Sequence, residues 1–210
     1  MRLLLIRHGQ SEGNVAGRIQ GQAEYPLSAL GREQARRLAQ RLAAEHDGIA
    51  AVYTSSLGRA VETAEILAQA VGVPVIPDDR LQEYDAGELA GLTIEGVRGQ
   101  FPQVYAAWMA DVEEWIPMPG SEGNENFFRR VHEVFAEIVA RHDGDENAVV
   151  VSHGGTLGAY LAEIMGLPPG RRHRFHFANA SLTIVDLSRR RPRLIQHNDT
   201  CHLADIGGGR

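Results

Sequence analysis

Uninterrupted apolar runs alternate with segments of helical periodicity along this chain. Residues 3–6, 51–53 and 148–151 are continuously apolar, which is typical of parallel strands that are buried on both faces. Segments with apolar residues every three or four positions follow these runs and indicate amphipathic helices. This alternation predicts an α/β fold, a three-layer α/β/α sandwich with a mostly parallel central sheet.

Capping and breaking residues mark the ends of the expected helices. Ser28 is placed to cap a helix that runs through about residue 44. Gly72 and Pro74 should end a second helix that begins near Ala60. The other expected elements are a polar loop over residues 7–27, a short strand at 75–76, helices over 127–138 and 157–165, and a closing hairpin of residues 181–187 and 194–197.

Residues 77–124 break the regular alternation and hold much of the aromatic content. Phe101, Tyr105, Trp108 and Trp115 lie here. We expect a partly helical lid, inserted into a single domain that covers residues 1–210. The aromatic side chains could bind a bulky leaving group or only pack the lid onto the core, and the sequence leaves both open.

Composition narrows the class of protein. No apolar run approaches the roughly 20 residues of a membrane span. Because Met1-Arg2 leads straight into the first strand, we expect no signal peptide. The single cysteine, Cys201, cannot form an internal disulfide, so we expect a cytoplasmic protein. The net charge of −6 argues against a nucleic-acid partner. The absence of lysine excludes Schiff-base and P-loop lysine chemistry.

Two histidines follow the ends of predicted strands. His8 comes after Arg7 and the first apolar run, and His153 comes before Gly154 and after the run at residues 148–151. Ligands in open α/β sheets bind at the carboxyl ends of the strands, so both rings would face one crevice if these strands are neighbours. Arg7 would lower the pKa of His8, favour its neutral nucleophilic form and bind the group under attack.

Arg59 and Asn14 could complete an anion-binding pocket. Arg59 stands in the first turn of the second helix, where its charge opposes the helix dipole unless an anion is bound there. Two arginines and two histidines would suit the oxygens of a transferring phosphoryl group. Alternatively, Arg59 is a solvated surface residue and Asn14 serves only in a turn.

A leaving alkoxide needs a proton, and residues 81–88 contain acidic candidates. A carboxyl group near several anion oxygens would have a raised pKa and could act as the acid. The residues alone do not choose among Glu83, Asp85 and Glu88.

Several short motifs, taken in order, resemble those of the histidine phosphatase superfamily, which has the phosphoglycerate mutase-like fold. Arg7-His8-Gly9-Gln10-Ser11-Glu12-Gly13-Asn14 resembles the R-H-G-[EQ]-[ST]-x-x-N signature of that family. Further similar blocks are Gln20-Gly21, Pro26-Leu27 with Gly31 and Gln34-Ala35, residues 53–60 with Thr63-Ala64, Leu81-Gln82-Glu83 with Gly87 and Gly91, and Ser152-His153-Gly154-Gly155. The likeness covers nearly the whole chain.

The resemblance implies a role for each matching residue. His8 would be the nucleophile that becomes phosphohistidine, and Glu83 would be the proton donor. The residues that would bind the phosphoryl group or the substrate are Arg7, Arg59, His153, Asn14, Gln20, Gly21 and Gly154. No metal or other cofactor is implied, and the expected partner is a small phosphorylated metabolite.

Three positions depart from the family pattern. Glu24 stands where Asp is common, Ser56 replaces a frequent Asp, and Gly123 follows Glu122 where Ser is frequent. None of these touches the expected nucleophile or its arginines, so the departures bear on substrate fit rather than on the chemistry.

The resemblance and the residues together favour a metal-independent phosphomonoesterase. A cofactor-dependent phosphoglycerate mutase is one alternative, but residues 99–128 contain no Lys or Arg for a second phosphate. The run at residues 171–174 could supply remote cations or be a solvated charge run. A non-catalytic phosphate-binding scaffold is another alternative, although the chain keeps the full residue set. Metal-ligand spacing is missing, which argues against a metallohydrolase. The substrate and the oligomeric state, a homodimer included, stay open.

Overall fold

The computed structural model describes residues 1–110, 118–142, 146–168 and 175–206. The strands of its sheet are β1 (Arg2–Arg7), β2 (Ile49–Thr54), β3 (Val75–Pro77), β4 (Asn147–Ser152), β5 (Leu182–Asp186) and β6 (Arg193–Asp199). They are arranged in the order β3-β2-β4-β1-β5-β6. The first four strands of the chain are parallel to one another, and β5 and β6 add an antiparallel edge. The mostly parallel sheet and the closing hairpin are therefore confirmed.

Strands β1 and β4 are neighbours at the centre of the sheet. Arg7 pairs with Ser152 in the parallel register, so both strands end at the same level. His8 and His153 are the next residues, and the backbone N–H of His8 donates to the carbonyl oxygen of Ser152 at 3.0 Å. The topology thus meets the condition under which both imidazole rings share one crevice.

Helices lie between the strands in the described residues. They are α1 (Glu12–Val15), α2 (Ala29–Glu45), α3 (Gly58–Val71), α4 (Ile94–Gln100), α5 (Pro102–Met109), α6 (Asn124–Ala140) and α7 (Gly154–Ile164). Ser28 caps α2 as predicted, because its Oγ accepts from the N–H of Gly31 at 3.0 Å. Helix α3 ends at Gly72, whose φ of 72° is in the left-handed region. None of the described helices combines the length and apolar character of a membrane span.

Three helices differ from the sequence prediction. Helix α6 runs from Asn124 to Ala140, longer than the predicted residues 127–138. Helix α1 lies inside the expected loop of residues 7–27, where Ser11 and Asn14 form a capping box that starts a single turn. One turn is too short to show an apolar period. Helix α7 begins at Gly154, earlier than the predicted residue 157. The first turn carries no apolar side chain at Gly154 or Gly155, so hydrophobic periodicity could not detect it.

Helices cover both faces of the sheet. Leu3 and Leu5 of β1 pack in one core with apolar side chains of α6 and α7. Leu4 and Ile6 of the same strand pack in a second core with side chains of α2 and α3. Because successive strand residues point to opposite faces, β1 feeds both cores. This arrangement confirms the predicted three-layer sandwich.

The expected lid, residues 77–124, is described except at residues 111–117. It contains α4, α5 and the short 3₁₀ turns Asp79–Leu81 and Gly87–Leu89, so it is partly helical as predicted. Phe101, Tyr105 and Trp108 pack against a small buried cluster in the lid itself. These three aromatic side chains therefore contribute to lid packing. Trp115 and residues 171–174 lie outside the described residues.

Candidate active site

His8 lies directly after β1 and is only 2% exposed. Its Nδ1 is 2.7 Å from the carbonyl oxygen of Gly9. A carbonyl oxygen can only accept, so Nδ1 carries the proton and Nε2 of the neutral ring keeps its lone pair. Burial, together with the charges of Arg7 and Arg59, holds the pKa of His8 well below its ordinary value. His8 therefore presents an uncharged imidazole with an unprotonated Nε2.

His153 stands at the start of α7, and its ring centroid is 5.0 Å from that of His8. Its Nε2 is 2.8 Å from Oγ of Ser55, and its buried Nδ1 has no hydrogen-bond partner among the described residues. Burial and the nearby His8 and arginines hold the pKa of His153 well below its ordinary value. The ring makes no capping hydrogen bond to α7. A buried nitrogen without a partner is costly, which is typical of a group that awaits a ligand.

Two guanidinium groups share the crevice with these rings. Arg59 is 1% exposed and donates to the carbonyl oxygens of Ala23 and Gly21 at 2.8 and 2.7 Å. Arg7 donates to the carbonyl oxygen of Phe177 at 2.6 Å. The Nε of each arginine is buried and has no partner within the described part of the chain. Both groups are anchored by backbone and keep donors for an anion, so Arg59 is not a solvated surface residue.

Among the three acidic candidates, Glu83 is the one on the wall of the crevice. Its Oε2 accepts from the N–H of Gly155 at 2.9 Å, and its Oε1 accepts from the N–H of Tyr84 at 2.9 Å. Asp85 instead accepts from a backbone N–H in the following turn, and Glu88 is exposed. The structure thus separates three carboxyl groups that the local sequence left equivalent.

Glycines allow the close approaches around the crevice. A Cβ at Gly155 would lie 2.3 Å from Oε1 of Glu83, so a side chain there would displace the carboxylate. Gly154, the first residue of α7, lies on the wall beside Arg7. Gly21 has a φ of 51°, a conformation that favours glycine, and its carbonyl oxygen is one of the acceptors of Arg59.

Asn14 and Gln20 present amide groups to the same crevice. Oδ1 of Asn14 accepts from the N–H of Ser11 at 3.0 Å and from Nδ2 of Asn179 at 3.2 Å. Oε1 of Gln20 accepts from Oγ of Ser11 at 2.7 Å. Because the amide oxygens are occupied, the amide nitrogens remain as donors on the wall.

A cavity of about 270 Å³ brings together all nine residues that the sequence analysis expected at the site. These are Arg7, His8, Asn14, Gln20, Gly21, Arg59, Glu83, His153 and Gly154. The wall is completed by Arg18, Ile19, Tyr84, Ala86, Met118 and Gly155. One side of the cavity is therefore rich in cations and imidazole, whereas Ile19, Ala86 and Met118 make another part apolar. In the described residues, no group of three or more His, Cys, Asp or Glu side chains could hold a metal ion.

The three departures from the family pattern lie off the cavity wall. Glu24 accepts through Oε2 from the N–H of Gly58 at 3.1 Å, so its carboxylate serves the N-terminus of α3. Ser56 donates to the carboxylate of Asp79. A carboxylate is therefore still present beside position 56, where the family frequently has Asp, but it belongs to a different element. Gly123 precedes α6 with a φ of 77°, where glycine is favoured.

Sequence reasoning missed several side chains that orient the site. Nδ2 of Asn179 donates to the carbonyl oxygen of His8 at 3.1 Å, and Oγ1 of Thr63 accepts from the N–H of Gly9 at 3.1 Å. Ser55 and Thr63 belong to the block that includes Arg59, so their neighbourhood was signalled although their roles were not. Asn179 lies in no motif, and nothing local in the sequence marks it.

Arg18 and Arg130 were also missed. Arg18 is an exposed residue of the cavity wall and donates to the carbonyl oxygen of Gly91 at 2.5 Å. Arg130 is behind the wall and donates to the carbonyl oxygens of Gln82 and Glu83 at 2.7 and 2.9 Å. In the sequence, each is one arginine among many.

Comparison with known proteins identifies the family. Residues 3–200 match the Histidine phosphatase superfamily (branch 1). The chain is 33% identical over 206 residues to "Phosphoserine phosphatase 1" of Hydrogenobacter thermophilus. The alignment covers 98% of this chain and 96% of that protein. It is 37% identical over 186 residues to "Probable phosphoglycerate mutase GpmB" of Serratia proteamaculans. That alignment covers 89% of this chain and 85% of the relative.

A solved structure agrees with these matches. A mycobacterial glucosyl-3-phosphoglycerate phosphatase, solved in complex with VO3, superposes with a TM-score of 0.83 at 33% identity. The superposition covers 94% of this chain and 98% of that one. The motifs, the fold and these relatives lead to one conclusion: the chain belongs to branch 1 of the histidine phosphatase superfamily.

Proposed function

We propose that this protein hydrolyses phosphomonoesters of small metabolites, without a metal ion, through a phosphohistidine on His8. One observation carries the proposal. The hydrogen bond from Nδ1 of His8 to Gly9 leaves an unprotonated Nε2 in a cavity that also holds Arg7, Arg59 and Glu83. A neutral imidazole is a nucleophile, and fixed guanidinium groups stabilise the charge of a transferring phosphoryl group.

In the first step, Nε2 of His8 attacks phosphorus. The N–P bond forms while the bond between phosphorus and the leaving oxygen breaks. Glu83, in its carboxylic acid form, gives its proton to that oxygen, so the alcohol leaves uncharged and the carboxylate remains. The free donors of Arg7 and Arg59 would bind the equatorial oxygens.

His153 would donate to the phosphoryl group rather than attack it. Oγ of Ser55 accepts from the N–H of Leu57 at 3.3 Å, so its own proton is available to Nε2 of His153. The proton of the neutral His153 ring would then be on Nδ1, the nitrogen that has no partner among the described residues. A phosphoryl oxygen would supply that partner.

In the second step, water attacks the phosphohistidine. The carboxylate of Glu83 accepts a proton from the water as the new P–O bond forms and the N–P bond breaks. Inorganic phosphate leaves, Glu83 is again an acid and His8 is again neutral. The same two residues are thus restored for the next turnover.

The distribution of cationic side chains on the cavity wall supports water, rather than a second substrate group, as the acceptor of the phosphoryl group. A mutase must also hold a second anionic group of its bisphosphorylated intermediate. Beyond the two anchored arginines, the described wall has one further arginine, Arg18, which is exposed and already bound to Gly91. The apolar part of the wall, with Ile19 and Met118, would instead suit an uncharged portion of the leaving group.

Small phosphorylated metabolites are the substrate class that the relatives support. Two of them are named for phosphoserine and for glucosyl-3-phosphoglycerate, and VO3 is bound in the second. The GpmB-type relative keeps the mutase as the second candidate. A single domain over residues 1–210 with a lid at 77–124, and a cytoplasmic location, stay predictions.

Trapping of the phosphoenzyme tests the proposal. Wild type should incorporate radiolabelled phosphate as an acid-labile, base-stable adduct, and His8→Asn should incorporate none and lose turnover. His132→Asn is the matched control, because His132 is an exposed histidine of α6 paired with Glu163. It should be labelled like wild type. Persistent labelling in His8→Asn would move the nucleophile elsewhere, with His153 first in line.

A panel of phosphomonoesters, assayed beside bisphosphoglycerate-dependent mutase turnover, separates the two candidate activities. We expect hydrolysis to exceed mutase turnover and to continue in excess chelator. Faster mutase turnover would favour the second candidate. Loss of hydrolysis in EDTA, restored by zinc or magnesium, would contradict the metal-free mechanism.

A further inference from the structure

Arg130, in α6, uses every N–H donor of its guanidinium group. Its Nε and Nη2 donate to the two carboxylate oxygens of Glu122 at 2.8 and 2.6 Å. Its Nη1 donates to the carbonyl oxygens of Arg80 and Gln82 at 2.8 and 2.7 Å, and its Nη2 also donates to that of Glu83 at 2.9 Å. A guanidinium group has five N–H donors, and here all of them have acceptors.

Glu122 extends the contact along the same loop. Its Oε1 also accepts from the backbone N–H of Asp85 at 2.8 Å. Between the turn that ends at Leu81 and the turn that begins at Gly87, the described chain has no helix or strand. The loop therefore lacks a backbone ladder, and the Arg130–Glu122 pair supplies fixed donors and acceptors for it.

Glu83 is held from two sides. Its carbonyl oxygen is bound by Arg130, whereas its carboxylate is bound by the N–H groups of Gly155 and Tyr84, both at 2.9 Å. The carboxyl group must come within hydrogen-bond distance of the leaving oxygen to transfer a proton. A shift of the backbone by about 1 Å can cost catalysis about a hundredfold, so the backbone anchor matters for the proton transfer.

The environment of Arg130 makes this anchor firm. The side chains of Arg130 and Glu122 are 16% and 15% exposed, and the Arg130 guanidinium lies 4.8 Å from the centroid of the Phe127 ring. Removal of one partner of this largely buried pair leaves polar groups unpaired, which costs more than the loss of a surface ion pair. The adjacent Arg129 is exposed and donates only to Asn126 among the described residues, at 2.8 Å.

We propose that Arg130 is a positioning residue for the acid step. It lies off the cavity wall and fixes the backbone at Glu83, so that the carboxyl group reaches the leaving oxygen. The inference rests on the proposed function, because it takes Glu83 as the group that protonates the leaving alkoxide.

The test compares an alkyl phosphate with p-nitrophenyl phosphate as substrates of Arg130→Gln. We expect kcat on the alkyl substrate to fall about 10- to 100-fold, because the acid is misplaced. Nitrophenolate leaves readily as an anion, so kcat on that substrate should fall less than about threefold. Arg130→Lys keeps the charge without the planar fork and should recover only part of the loss. Arg129→Gln, the matched control, should have wild-type rates on both substrates.

A double-mutant cycle separates positioning from general stability. In the Glu83→Gln background, Arg130→Gln should lower the alkyl rate less than about twofold, because the group that it positions has been removed. A further tenfold loss in that background would overturn the inference. Equal slowing of both substrates by Arg130→Gln alone would do the same.

A second variant and phosphohistidine trapping cover the cases in which Arg130→Gln alone is not informative. If Arg130→Gln does not fold, Glu122→Gln replaces it and should give a smaller loss, still confined to the alkyl substrate; slowing of both substrates would contradict the inference. Phosphohistidine trapping separates the two proposals. A wild type without phosphohistidine refutes the proposed function, whereas a wild type that is trapped, with Arg130→Gln equally fast on the alkyl substrate, refutes only the positioning role.

Discussion

The two ends of the cavity are held by different means. At the phosphoryl end, His8 and His153 follow paired strands, and their positions are set by the sheet. At the acid end, Glu83 lies in an irregular loop whose carbonyl oxygens are bound by side chains from elsewhere. Oγ1 of Thr156 donates to Gln82 at 2.8 Å, and Arg130 adds the contacts described above. The strand ends are held mainly by backbone hydrogen bonds of the sheet, whereas the loop depends on particular side chains.

This difference separates the consequences of mutation at each end. Every phosphomonoester presents the same phosphoryl group, so the phosphoryl end should matter equally for all substrates. A poor leaving group needs the acid and a good one does not, so the acid end should matter selectively.

Arg59→Gln should lower kcat/KM by roughly 10²- to 10³-fold on both alkyl and nitrophenyl phosphates, because it removes a fixed donor to the transferring group. Steady-state kinetics on the two substrates measure the effect. Arg32→Gln is the control, since Arg32 pairs with Glu62 on the helix surface and is part-exposed. If the loss of kcat/KM in Arg59→Gln depended on the leaving group, the two ends of the cavity would not have separate roles.

Glu83→Gln should lower kcat on alkyl phosphates by around a hundredfold and should change nitrophenyl phosphate hydrolysis much less. The alkyl alkoxide needs a proton in the transition state, whereas nitrophenolate does not. A plot of rate against leaving-group pKa for the variant provides the measurement. Asp85→Asn and Glu88→Gln should behave like wild type, and leaving-group dependence in either would reassign the acid.

The pH dependence of stability reports on the two buried histidines of the phosphoryl end. Burial and neighbouring charges hold the pKa of His8 and of His153 well below the ordinary value of about 6.5. Below that pH the unfolded chain binds protons that the folded protein does not, so the free energy of unfolding falls as the pH falls. Each ring contributes a slope of about 1.4 kcal/mol per pH unit until its folded-state pKa is reached.

His8→Asn should therefore lose less stability than wild type between pH 6 and pH 5, and the slope should be smaller by about 1 kcal/mol per pH unit. Denaturant unfolding at both pH values measures it. Gln103→Asn, at an exposed position that carries no titratable group, should keep the wild-type slope. An unchanged slope in His8→Asn would mean that His8 is not held neutral by its surroundings.

The local sequence was sufficient for the parts of the molecule that depend on neighbouring residues. Residues 3–6 and 148–151 are apolar throughout because both faces of a central strand are buried, and their lengths place His8 and His153 at the strand ends. Helix α1 was not predicted, because a single turn is too short to show a hydrophobic period. The family-like motifs contain the nine expected residues that line the cavity.

The packing of the whole chain determines which of these residues meet and which groups hold them. Glu83, Asp85 and Glu88 are three acidic residues that the local sequence does not distinguish. In the structure only Glu83 of the three lines the cavity, where the N–H groups of Gly155 and Tyr84 bind its carboxylate. Asn179 reaches the carbonyl oxygen of His8 from 171 positions away. Side-chain periodicity reports burial along one element, whereas a hydrogen bond between distant segments depends on the packing of the whole chain, so no local pattern can encode it.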